Sequence, residues 1–280
     1  MKSMGLTDEF DRSPPPSAPG LLSTAHFVDV TEISGDEVSA EQVERMCHRY
    51  LWASDYCRNK DVVEAACGAG QGLGHLASIS KSVAAGDYAA EILAIAQRHY
   101  GDRIAMTTFD AADTPYPDAS VDVVILFEAL YYLPSADLFV EECLRILRPG
   151  GVILTATANK DLFDFNSSPH SYRSIGVREL HDLFSRHGLS VDCFGFMRTD
   201  EISLRQKILR PIKKLAVQFD LIPETMQAKK ILKRLVFGRL VPMPAEIEEG
   251  MIEYAAPSPI PCDRPDTSYK VIYCAAARRD

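Results

Sequence analysis

No apolar run in the chain reaches the roughly 18 residues that a bilayer-crossing helix requires. No Cys-x-x-Cys spacing occurs among the seven cysteines, an odd and scattered set. These absences argue against a membrane-spanning helix, a disulfide framework and a zinc ribbon. No signal-peptide pattern opens the sequence, so the expectation is a soluble, cytoplasmic protein. Positive charge is also in deficit, at 30 Lys and Arg against 39 Asp and Glu, a net charge of −9. That balance argues against a general nucleic-acid ligand. What is present suits a sizeable core. With 280 residues and 46% hydrophobic content, the chain can bury one domain with an elaboration. Residues 1–25, with a Pro-rich stretch from Ser13 to Gly20, read as a flexible tail.

Two more absences frame the most informative segment, residues 61–74. A short apolar run holding one acid, Glu64, leads into glycines at alternate positions: Gly68, Gly70, Gly72 and Gly74. A helical pattern follows. A strand that enters a permissive loop at a helix N-terminus is how open parallel sheets hold nucleotide-like ligands. The third glycine of the dinucleotide fingerprint is missing. Counted from Gly68 its place falls on Leu73, and counted from Gly70 it falls on His75. The lysine of a phosphate-binding Walker loop is missing too, since none lies between Lys60 and Lys81. Glu64 would repel a phosphate and suits a cationic group.

Strand and helix patterns alternate along the chain. Strands are expected near 61–66, 81–86, 103–108, 121–127, 151–157, 191–197 and 268–275. Helices are expected near 39–57, 71–79, 89–100, 135–147 and 177–187, the first capped by Ser39 with Gln42 three residues on. This alternation predicts an α/β fold with a parallel sheet and helices on both faces.

Further segments follow the glycine loop in order. Asp87 ends the second apolar run nineteen residues past Gly68, where a carboxylate can accept two ribose hydroxyls. Phe109, Asp110 and Ala111 come next, then the stretch from Asp113 to Asp118. The run from Asp122 to Leu133 and the turn Arg148, Pro149, Gly150, Gly151 complete the series. Together they resemble the class I S-adenosylmethionine (SAM) methyltransferases (domain 11/25 type) over roughly residues 45–195. The resemblance implies a Rossmann-like, doubly wound, seven-stranded sheet with an antiparallel last strand. It implies SAM as cofactor, held by Tyr50, Glu64, Ala66, Cys67, Gly68, Gly70, Asp87, Tyr88, Asp110, Ala111, Phe127, Glu128 and Tyr132. Arg49, Tyr50 and Ala53 are similar to an Arg-Tyr-x-x-Ala pattern of bacterial glycan-cluster methyltransferases, in which Tyr50 would meet the methionine end of SAM. Trp52 reads equally as core, and His75 as a solvated helix residue.

Methyl transfer is an in-line displacement, and an acceptor hydroxyl must lose its proton during attack. Three residues are candidates to serve that chemistry: His170, as general base, and Tyr131 and Glu128 at the tip of the fourth strand. Asp164, Asn166, Tyr172 and Arg173 could read the acceptor. A metal on Asp161 and Asp164 is a weak alternative without a full ligand set.

The family joins its last two strands in a hairpin. Here roughly 70 residues lie between them. The domain is therefore expected over 26–198 plus 268–280, with a helical, basic cap inserted over 199–267. Ten basic residues lie between Arg205 and Arg239 against Asp220 and Glu224, a local charge of +8, with helices expected near 202–219 and 224–237. The cap reads either as a solvated face or as a surface for an anionic substrate or a membrane. The resulting expectation is a SAM-dependent methyltransferase that O-methylates a sugar or glycan-linked small molecule. The alternatives are O-, C- or N-methylation of a quinone, polyketide or other natural product, a SAM-binding protein without catalysis, and an NAD-binding protein. A sugar-phosphate site should be rich in Arg and Lys, and a quinone or polyketide site aromatic and apolar.

Overall fold

The computed structural model describes residues 31–168, 170–200 and 239–278. The expected N-terminal tail and the two expected cap helices lie outside the described residues. No helix among the described residues is long and apolar enough to cross a membrane.

The strands are β1 (Glu37–Ser39), β2 (Asp61–Ala65), β3 (Ser82–Asp87), β4 (Ala105–Thr108), β5 (Val121–Phe127), β6 (Leu147–Ala158), β7 (Ser190–Arg198), β8 (Leu240–Pro242), β9 (Ser258–Ile260) and β10 (Tyr269–Ala277). The α-helices are α1 (Ala40–Cys57), α2 (Leu73–Ile79), α3 (Ala90–Tyr100), α4 (Ala136–Ile146) and α5 (Val177–Arg186). The main sheet runs β4-β3-β2-β5-β6-β10-β7-β9. Strands β4 to β6 pair in parallel, while β10 is antiparallel to both β6 and β7. Chain order reverses between β2 and β5, so a crevice opens at their carboxyl ends, where such sheets bind ligands.

Two features go beyond the expected sheet. Strand β9, from the insertion, pairs with β7 and adds an eighth strand at the edge. Strand β8, also from the insertion, pairs with β1 in a separate ribbon, Val38 opposite Val241. The described part of the insertion is thus strand and loop rather than helix. Its extended stretches find backbone partners on two exposed edges, which satisfies groups that would otherwise be orphaned.

Helix α1 begins in the capping box expected from Ser39 and Gln42: Gln42 N–H donates to Ser39 Oγ (3.2 Å) and Ser39 N–H to Gln42 Oε1 (3.0 Å). The helix buries Met46, Cys47, Tyr50, Trp52 and Ala53 against one face of the sheet. Trp52 stacks on Tyr273 of β10 at 4.8 Å, so it is a core residue. His48 is buried between the Tyr273 hydroxyl (3.0 Å) and the Ala255 carbonyl (2.8 Å). Burial holds its imidazole below the usual range. The neutral ring ties the insertion to α1. His75 is likewise structural, its Nε2 lying 2.8 Å from Ser54 Oγ. The opposite face of the sheet is covered by α4 and α5, with Phe139 and Phe184 fully buried.

From β8 the chain crosses to the glycine-rich loop. Met243 exchanges backbone hydrogen bonds with Gly35 and Asp36, both 2.9 Å, and Ile247 N–H donates to Gln71 O (2.9 Å). Glu246 pairs with His99 (2.9 Å) and Arg103 (3.0 Å) of the α3 end. Residues 31–39 and 240–247 together flank the crevice.

Candidate active site

A cavity of about 390 Å³ occupies the crevice, within the size range of small-molecule sites. All of the expected cofactor positions except Gly70 lie on its wall. The loop after β2 explains why. Ala66, Gly68 and Gly70 all have left-handed backbone, at φ 52°, 59° and 80°. This curls the loop on itself and onto β3, with Gly70 N–H on Cys67 O (3.0 Å) and Cys67 N–H on Gly86 O (3.1 Å). Gly70 serves the loop instead of the ligand. A side chain there would lie 2.9 Å from Ala96 Cβ, and its carbonyl accepts from the Tyr100 hydroxyl (2.8 Å). Gly72 is required for a different reason: a Cβ there would fall 2.1 Å from the Tyr50 ring.

Asp87 stands at the tip of β3, 9% exposed. Its oxygens accept from Gly68 N–H and Ala89 N–H, both 2.9 Å. Burial lifts its carboxyl above the usual range, and those backbone donors partly pull it back. Asp110 accepts from Ala112 N–H (2.9 Å) at the tip of β4. Both carboxylates are therefore preset by backbone, with lone pairs left for hydroxyl and amino groups of a nucleoside.

Glu64 is 1% exposed. Its Oε1 accepts from the Tyr50 hydroxyl at 2.6 Å, while Oε2 is buried without a partner. Burial raises its carboxyl to about 7, against the opposing pull of Tyr50 and Arg49. Arg49 lies beside it. Its guanidinium sits 5.5 Å from the Tyr50 ring centre and 5.9 Å from that of Phe127, and its Nε is buried without a partner. An orphaned carboxylate oxygen and an orphaned guanidinium nitrogen in one cavity fit a ligand that carries both an ammonium and a carboxylate. The methionine end of SAM is such a group.

The methyl-acceptor end of the cavity is built from other elements. Glu128 follows β5 with left-handed backbone, φ 52°, a strain that few non-glycine residues carry. Arg45 Nη2 donates to Glu128 Oε1 (3.1 Å), and the Tyr131 hydroxyl donates to Oε2 (3.2 Å). Burial, and next the Glu128 charge, push the Tyr131 phenol well above its usual range, so it stays a donor. Tyr132 donates to Ser168 Oγ (2.9 Å). The loop after β6 is pinned here, since Tyr172 N–H donates to Tyr131 O and Arg173 to Pro134 O, both 2.9 Å.

Tyr172 from that loop is on the wall. His170, the expected base, is half-buried and does not line the cavity. Anchoring through residues 172 and 173 accompanies the placing of the tyrosine on the wall and the histidine off it. Asp164 and Asn166 are also off the wall. No group of three or more His, Cys, Asp or Glu able to hold a metal occurs among the described residues.

Several wall residues were not anticipated: Thr31, Glu32, Gln42, Arg45, Arg49 and Gln71. A signal existed for some of them. Gln42, Arg45, Met46, Arg49 and Tyr50 share one face of α1 at helical spacing, so a ligand role for Tyr50 carries its neighbours one and two turns back with it. Thr31 and Glu32 sit in an irregular segment with no periodic pattern.

Comparison with known proteins agrees with this geometry. Residues 63–155 match the methyltransferase domain family. A probable S-adenosylmethionine-dependent methyltransferase of Mycolicibacterium smegmatis is 35% identical over 153 residues, 53% of this chain and 56% of that one. A probable phthiotriol/phenolphthiotriol dimycocerosates methyltransferase of Mycobacterium ulcerans is 37% identical over 110 residues, 37% of this chain and 41% of that one. The chain thus spans about half the length of the curated relatives it matches. Among solved structures, the [4+2]-cyclase SpnF superposes with a TM-score of 0.54 at 15% identity, over 89% of this chain and 86% of that one. That likeness concerns fold alone, and a cyclase on the same fold shows that the fold does not dictate the reaction. The matched segment and the cavity it builds point the same way: residues 63–155 are similar to the methyltransferase domain family, and the cavity fits S-adenosylmethionine as cofactor.

Proposed function

We propose that the protein transfers a methyl group from SAM to an oxygen of a small-molecule acceptor that is hydroxylated and largely apolar. The observation that carries the reading is the single cavity that joins backbone-preset carboxylates at one end to an aromatic wall at the other. Met46, Tyr131, Tyr132, Leu133, Pro134 and Tyr172 all contribute to that wall. Aromatic and apolar surface suits a lipid or polyketide-type acceptor better than a sugar phosphate. The relative named for phthiotriol dimycocerosates supports the same direction, since a triol offers oxygen acceptors. A glycan acceptor is the second reading, favoured by the basic stretch between Arg205 and Arg239.

SAM supplies a methyl group already activated on a sulfonium. The protein's part is alignment and exclusion of water, which can contribute roughly 7–11 kcal/mol in favourable cases. Tyr50, Glu64 and Arg49 would orient the amino-acid end, Asp87 and Asp110 the nucleoside end. The rings of Phe127 and Tyr131 would shelter the reacting centre, where an aromatic face attracts a cation by about 0.5–2 kcal/mol.

Calorimetry with S-adenosylhomocysteine and with NAD tests the cofactor. Micromolar binding of the first and none of the second is the expected result; the reverse would sink the proposal. Transfer of labelled methyl from SAM to hydroxylated lipids and polyketides, set against sugar phosphates and glycans, then tests the acceptor. Label in the second group alone would replace the first reading by the second. Binding without any transfer would point to a non-catalytic SAM-binding role.

A further inference from the structure

The cavity wall carries several groups that could take a proton from an acceptor hydroxyl, and geometry separates them. His170 is off the wall. The Tyr131 hydroxyl keeps its proton and donates a hydrogen bond to Glu128. On the reading above Asp87 is taken up by the nucleoside end of the cofactor, and Asp110 follows β4, with β3 and β2 between it and β5. Glu64 has one oxygen on the Tyr50 hydroxyl and, on the same reading, the other on the amino-acid end of the cofactor, and Glu32 is held by Gln42. Glu128 differs from all of these. It stands one residue past the end of β5, beside the strand-order reversal, and its left-handed backbone re-aims the side chain. Its peptide N–H is fixed on Ala156 O at 2.8 Å. Two side chains brought from 83 residues before and three residues after grip one oxygen each. A strained backbone kept in place by long-range contacts at a cavity wall points to a functional constraint.

On the methyltransferase reading above, we infer that Glu128 faces the methyl group to be transferred and accepts the acceptor's proton. In that step the acceptor oxygen bonds to the methyl carbon, the carbon–sulfur bond breaks with its electron pair going to sulfur, and the hydroxyl proton passes to the Glu128 carboxylate. The products are the methyl ether, a neutral thioether and a protonated Glu128, which returns its proton to solvent. Arg45 and Tyr131 act as positioning residues. Each satisfies one oxygen through one lone pair and leaves another free for the acceptor.

Sinefungin tests this without knowledge of the acceptor, because it carries an amine-bearing carbon where SAM has its methylsulfonium. An ammonium at that place should pair with Glu128, so the wild-type protein should bind sinefungin at least about tenfold more tightly than S-adenosylhomocysteine. Glu128→Gln should abolish that preference, read as the ratio of the two ligands' affinities in the same variant. Glu128→Asp, which keeps the charge in a residue tolerant of left-handed backbone, should retain more of the preference than Glu128→Gln. Arg45→Met and Tyr131→Phe should each reduce it without weakening S-adenosylhomocysteine, because an ungripped carboxylate loses its fixed aim. Equal affinities of the wild-type protein for the two ligands would overturn the inference, as would a preference untouched in Glu128→Gln. If neither ligand binds the wild-type protein, the methyltransferase reading itself fails, which is a separate result.

Discussion

The two ends of the cavity are made from different materials. At the cofactor end the working groups are backbone N–H donors, left-handed loop residues and carboxylates preset by them, as Asp87 is by Gly68 and Ala89. At the acceptor end they are side chains from α1, the tip of β5 and the loop after β6, joined by contacts such as Arg45 to Glu128 across 83 residues. A backbone-made site tolerates little change, because its positions are fixed by dihedral angles and close approach. A side-chain-made site can be re-cut by single substitutions. The comparison teaches where one fold keeps its cofactor and where it varies its acceptor.

The largest expected effect lies at the cofactor end. Gly72→Ala would drive a methyl group to 2.1 Å from the Tyr50 ring, which is 3% exposed and has no room to move. We expect a loss of about 3 kcal/mol in urea unfolding and no measurable S-adenosylhomocysteine binding. A folded, binding Gly72→Ala protein would break the contrast at its strongest point.

Glu64 comes next, through pH. Its carboxyl is raised from the ordinary 4.5 to about 7 in the folded protein. The folded state therefore holds a proton that the unfolded state has released between those values. The stability this contributes is fully present below pH about 4.5 and is lost as pH rises through about 7, roughly 3 kcal/mol at most. Urea titrations of the unliganded protein at pH 4.5 and 7.5 should show that slope, and Glu64→Gln should flatten it. An unchanged slope in Glu64→Gln would place the titration elsewhere.

Asp87→Ala should weaken S-adenosylhomocysteine by about 10–100-fold, the worth of a charge-assisted hydrogen bond, with Asp87→Asn in between. Glu246→Ala should act more gently, since His99 and Arg103 are partly exposed and such pairs contribute about 0–1 kcal/mol. A few-fold loss of affinity, read by calorimetry, would show that the insertion steadies the cofactor loop.

The smallest effect is expected at the acceptor end. His170→Ala should change stability by less than about 0.5 kcal/mol and leave turnover intact. Tyr172→Ala should lower turnover while cofactor affinity is kept. A tenfold drop in turnover for His170→Ala alone would reverse the roles assigned to that loop.

Alternation of strand and helix patterns, the glycine loop, Glu64, Asp87 and Asp110 were legible along the chain. Each depends on local rules: side-chain period, the need for glycine at left-handed positions, and acids at strand ends. Ser39 with Gln42 could be read for the same reason, since a capping box closes within three residues. The role of Gly70 could not, because only the approach of Ala96 and Tyr100 from α3 reveals that it packs the loop instead of touching the ligand. Nor could the pairing of β8 with β1 or of β9 with β7, because strand partners so far apart in the chain are chosen by which edges the packed core leaves open. Local spacing thus excluded a dinucleotide loop and a Walker loop, and the resemblance carried by the ordered segments named the cofactor. Tertiary packing alone turned Tyr172 inward in place of His170 and brought Arg45 to Glu128, because a side chain's aim at the acceptor end depends on neighbours far away in the chain.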